Sequence, residues 1–101
     1  MDYRIDLSDQ QCEIFFNGRL TFNDHAKMRM LIKEAIAEPS KQIVFDLGEL
    51  QFIDSAAVGM FLIAREEFEG RQKKLTLRNA TGQVKRVITV SQLSKLITVV
   101  E

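Results

Sequence analysis

The side chains able to do chemistry converge on one pair, Asp54-Ser55, at the junction of two apolar stretches. Before it come Phe45, Leu47, Leu50, Phe52 and Ile53; after it, residues 56–64 are almost all apolar or small. A serine hydroxyl can act as a nucleophile, accept a phosphoryl group or cap a helix, and aspartate caps equally well. The first turn of a helix presents unpaired N–H groups and the positive end of its dipole, so an anion is tolerated there. Taken alone, the pair reads first as a helix cap.

Nucleophilic catalysis needs a base beside the hydroxyl. The only imidazole is His25, far from Ser55 in the chain. Neither a G-x-S-x-G elbow nor a G-x-x-x-x-G-K-[ST] phosphate loop occurs. Cys12 is the single cysteine, which excludes an internal disulfide, and with His25 it makes no zinc spacing. Acidic residues fall mainly on helix exteriors, Asp46 being the exception. It is expected either to serve as a satisfied acid near a strand end or to help shape the serine site. No enzymatic activity, cofactor or metal is expected.

Fourteen basic and fourteen acidic residues cancel to a formal net charge of zero, which argues against a nucleic-acid partner. The densest basic stretch, Arg71, Lys73 and Lys74, lies beside Glu66, Glu67 and Glu69 and reads as a solvated turn. With 101 residues, 46% of them hydrophobic, one domain over residues 1–101 is expected. No secretory core opens the chain and no apolar run reaches ~18 residues, so a cytoplasmic protein without membrane insertion is expected.

The elements that must hold Asp54-Ser55 follow from periodicity. Residues 3–8 alternate with a period of two, and a second strand over 12–16 completes a hairpin before Gly18 breaks the pattern. Asn23 or Asp24 can cap a helix over 25–37, whose buried stripe is Met28, Leu31, Ile32, Ala35 and Ile36. A covered central strand over 43–47 leads through a short loop to a helix over 55–69, closed by Gly70. Leu75 and Leu77 mark a strand. Thr81 opens a helix with Val84, Val87 and Ile88 on one face, and residues 97–100 form a last strand. The order β-β-α-β-α-β-α-β implies an α/β domain, a mixed sheet with helices packed on it.

On these residues the chain resembles the STAS family, the anti-sigma factor antagonists and their relatives. Asp46-Leu47, Phe52-Ile53-Asp54-Ser55 and Gly59 match the family's strand end and serine loop. Gly18-Arg19-Leu20 and Val84-Lys85-Arg86-Val87-Ile88, with Leu93 and Ile97, extend the resemblance over nearly the whole chain. Ala56 departs from the usual second Ser or Thr, and Ala57 from the usual Gly. The first change leaves Ser55 as the one hydroxyl in the loop.

The resemblance implies a partner switch. Unphosphorylated, the chain would bind an anti-sigma factor, often a GHKL-type serine kinase; phosphorylation of Ser55 would end binding, and a PP2C-like phosphatase would restore it. The switch surface would comprise Asp54, Ser55, Ala56, Ala57, Val58, Gly59 and Met60, with Glu49 and Gln51 ahead of them and Asp46 in support. Ser55 would cap the helix at rest and carry the phosphate when regulated. The alternative is a STAS subunit of a phospholipid-transport ABC complex or a stressosome-like assembly, bound constitutively through the same surface.

Overall fold

A computed structural model describes residues 1–101. Its elements are β1 (Asp2–Leu7), β2 (Cys12–Leu20), α1 (His25–Ala37), β3 (Gln42–Ile53), α2 (Ser55–Glu69), β4 (Lys74–Arg78), α3 (Gly82–Val90) and β5 (Thr98–Val100). The expected alternation and mixed sheet are both present. The sheet runs β1-β2-β3-β4-β5, with β1 antiparallel to β2 and every later pair parallel.

Each parallel neighbour is reached by a helical crossover, the usual connection for parallel strands. One face of the sheet carries Ile14, Phe16, Ile43, Phe45, Leu75 and Leu77, all inside the same apolar cluster as the buried sides of the helices. Phe45 organises this layer. Its ring centroid lies 4.9 Å from Phe16, 6.1 Å from Phe61 and 6.0 Å from Phe68. Tilted and edge contacts of this kind add about 0.5–1.5 kcal/mol each beyond burial. They pin α2 to β3, and hence fix where α2 begins.

The other face carries a different row. Cross-strand register aligns Arg4, Phe15, Asp46 and Arg78 on neighbouring strands. The Arg4 guanidinium sits 4.4 Å from the Phe15 ring centroid. Arg78 donates to Asp46 at 2.9 and 3.1 Å and to Glu13 as well. Burial alone would raise the Asp46 carboxyl, but hydrogen bonds from the Gly48 N–H, Arg78 and Asn79 outweigh it and hold the group below its ordinary value. Glu13 is held low chiefly by its hydrogen bond from Arg78.

Four expectations need correction. Strand β2 continues past Phe16 to Leu20, with register shifts flanking Gly18, whose φ of 86° suits glycine. Strand β3 likewise runs unbroken to Ile53, because the lengthened β2 pairs with it up to Leu20↔Ile53; no loop precedes Asp54. Gly70 closes α2 in a right-handed conformation, and the left-handed residue is Gln72 at φ 62°. Lys73 is buried, donating to the carbonyls of Glu38 and Ser40 at 2.6 Å each, so it ties the end of α2 to the end of α1.

Candidate functional site

The turn at the head of α2 is held from two sides. On one side Asp54 accepts twice: Oδ1 from the Ala57 N–H at 3.0 Å, and Oδ2 from the Phe22 N–H at 3.0 Å. The Asp54 N–H also donates to the Leu20 carbonyl. On the other side the Gln83 amide clasps the backbone of Ile53. Its Oε1 accepts from the Ile53 N–H at 3.0 Å and its Nε2 donates to the Ile53 carbonyl at 2.8 Å. The start of α1 and the first turn of α3 are thus both fastened to the two residues before Ser55.

Capping therefore belongs to Asp54, the N-cap residue with extended backbone. Ser55 is the first helical residue, exposed, and its hydroxyl takes no part in the bonds that secure the turn. The dual role expected for Ser55 is corrected on this point. An extended N-cap accepts the N–H two or three residues on, and Asp54 fills that place because β3 runs straight into it.

Beside Ser55 lies a shallow groove of about 430 Å³ between α2 and α3. Val58, Val87 and Val90 give it apolar walls, and Gln83, Arg86 and Ser91 supply polar groups. Val90 is 77% exposed and Phe22, on the opposite flank, 65%. Isolated exposed apolar residues are ordinary; two such residues flanking one exposed hydroxyl form a surface a partner can cover.

The residues expected at the switch surface divide. Ser55 and Gly59 are exposed, and Asp54, Ala56 and Val58 are half-buried around them. Ala57 and Met60 instead point into the core, because the three-to-four-residue period that exposes Ser55 and Gly59 turns them toward the sheet. Glu49 and Gln51 are exposed on β3. Glu49 precedes Ile53 by four strand residues, about 13 Å of chain. It lines another depression with Asp46, Asn79 and Lys85, so it does not flank Ser55. Asp46 likewise supports the open face of the sheet.

Sequence reasoning missed Phe22, Gln83, Arg86 and Val90. Val90 had a signal, being an apolar residue off the buried stripe of its helix. Gln83 had none, since its partner lies thirty residues earlier.

Comparisons with known proteins agree with this geometry. The family described as Mlab, STAS domain matches residues 3–100. A STAS-domain containing protein of Pseudomonas aeruginosa (strain UCBPP-PA14) is 28% identical over 87 residues, covering 86% of this chain and 85% of its own. Among solved structures, a putative anti-sigma factor antagonist of Thermotoga maritima superposes with a TM-score of 0.86 at 16% identity, over 98% of this chain and 86% of that one. The phosphorylated form of the Bacillus cell fate determinant SpoIIAA gives 0.71 at 22% identity, over 97% of this chain and 90% of that one. At such identities the structural likeness speaks for the fold, and the family match speaks for kinship. The chain belongs to the STAS domain family.

Proposed function

We propose that the chain acts as an anti-sigma factor antagonist whose partner binding is switched off by phosphorylation of Ser55. The observation that carries this reading is the division of labour at the turn. Asp54 performs the capping, so the exposed Ser55 hydroxyl can be modified without unmaking the helix. The likeness to a phosphorylated antagonist supports it.

The partner would be an anti-sigma factor or a GHKL-type serine kinase, with ATP and Mg²⁺ held by the kinase. Transfer of the γ-phosphoryl group to Ser55 Oγ releases ADP and a proton; a PP2C-like phosphatase hydrolyses the ester to restore the hydroxyl. The phosphate adds about −1.5 to −2 charges at neutral pH. At a helix N-terminus that charge is mildly favoured, so the fold persists. The cost falls on docking, where a dianion beside Asp54 would have to shed its water against Val58, Val87 and Val90.

A bait comparison in the native organism tests the proposal. Ser55→Ala should retain an anti-sigma factor or serine kinase and Ser55→Asp should release it. Equal recovery by both baits sinks the switch.

One observation favours a second reading, namely that the matching family is described as Mlab rather than as an antagonist. On that reading the Ser55 face packs permanently in a phospholipid-transport ABC complex or a stressosome-like assembly. Both baits would then retain the same transport or scaffold subunits.

A further inference from the structure

A second groove, of about 480 Å³, lies between α1 and α2, on the far side of α2 from the α3 groove beside Ser55. Its apolar residues include Met28, Ile32 and Met60, which are nearly buried, and Ile63, which is 52% exposed. Its charged residues are Arg29, Lys33, Arg71 and one acid, Glu67. In a chain whose charges cancel, this groove is therefore cationic. None of the three cations takes part in any of the ion pairs of the fold.

The disposition of the cations says what they suit. Arg29 and Lys33 are four residues apart on α1 and so share a helix face. Arg71 sits beyond the other end of α2, after Glu69. The charges are thus strung along a groove that follows α1 for roughly 20 Å. A fatty acid would need its cations gathered at one end. An elongated partner with acids repeating every helical turn meets them all.

We propose that the α1–α2 groove docks an acidic amphipathic helix of a partner protein. Its apolar stripe covers Ile32, Met60 and Ile63, and its acidic flank faces Arg29, Lys33 and Arg71. This is the helix-in-groove mode of recognition, in which apolar anchors give affinity and rim charges give selection and speed. The surface is separate from Ser55, so a partner can be held here whatever the state of the switch.

Two helical peptides of about four turns test it. Both carry Leu at i, i+3, i+4 and i+7; one has Glu flanks and the other Lys flanks. The Glu peptide should bind the full chain roughly tenfold more tightly, moving the amide signals of Ile32 and Ile63. The double variant Arg29→Glu/Lys33→Glu, at exposed helix positions that tolerate Glu, should reverse that preference. Ile63→Glu should weaken both peptides. Equal binding of the two peptides, or binding of neither, overturns the proposal. So does saturable binding of laurate in preference to the Glu peptide, or self-association of the chain through Ile63.

Discussion

The Asp54 carboxylate reaches back to the Phe22 N–H at 3.0 Å, across 32 residues, while its other oxygen caps the helix that Ser55 begins. One side chain thereby sets the position of the hydroxyl relative to an exposed aromatic ring. Stability and switching are consequently assigned to adjacent residues, and they can be separated by experiment.

Asp54→Ala removes both acceptors and should destabilise the chain by about 1–3 kcal/mol, whereas Ser55→Ala should stay within about 0.5 kcal/mol. Urea unfolding of the two variants decides between them. A Ser55→Ala loss as large as that of Asp54→Ala would return the capping role to the serine.

Gln83→Ala opens the clasp on Ile53 and should cost about 1–2 kcal/mol. Amide exchange at Ile53 should accelerate more than exchange at Phe45 in the middle of β3. If protection at Ile53 is unchanged, α3 is not what holds the turn.

The Arg78 network predicts an acid limit. Asp46 and Glu13 both have folded-state values below their ordinary ~4. The stability they contribute is present above that ordinary value and is lost as pH falls through the lower folded one. Arg78→Leu should destabilise the chain at neutral pH, leaving Asp46 buried without its cation, and should flatten the fall in stability below about pH 4. Parallel pH-stability curves for the two proteins would contradict this.

Lys73→Met keeps the apolar stem and removes the donor, stranding the carbonyls of Glu38 and Ser40. The expected cost is about 2–3 kcal/mol by thermal or urea unfolding, against near neutrality for the neighbouring Lys74→Met on the exposed side of β4. Equal effects would show that the buried tie carries no weight.

These residues also mark where the sequence was readable. The stripe of α1 and the apolar half of α2 were plain, because local period alone decides which face of a helix is buried. Strand β3 was misread at Gly48-Glu49, where exposed polar residues look like a loop. Only the length of its partner β2 shows that hydrogen bonding continues. Lys73 looked solvated because a cation among acids usually is; its partners are carbonyls more than thirty residues away. The Asp54-Ser55 pair was found from its setting, but which residue caps depended on where β3 stopped.

Phosphorylation should leave this architecture in place. Amide spectra before and after modification of Ser55 should differ around Phe22, residues 53–59 and the α3 wall of the groove. Changes spread through β1, β4 and β5 would mean that the fold itself responds.

The central claim is tested most directly by one affinity comparison. The partner recovered with the Ser55→Ala bait is titrated with the unmodified chain and with the chain carrying phosphoserine at position 55. A loss of roughly a hundredfold or more, about 2.7 kcal/mol, is the predicted result. Equal affinities would contradict the switch.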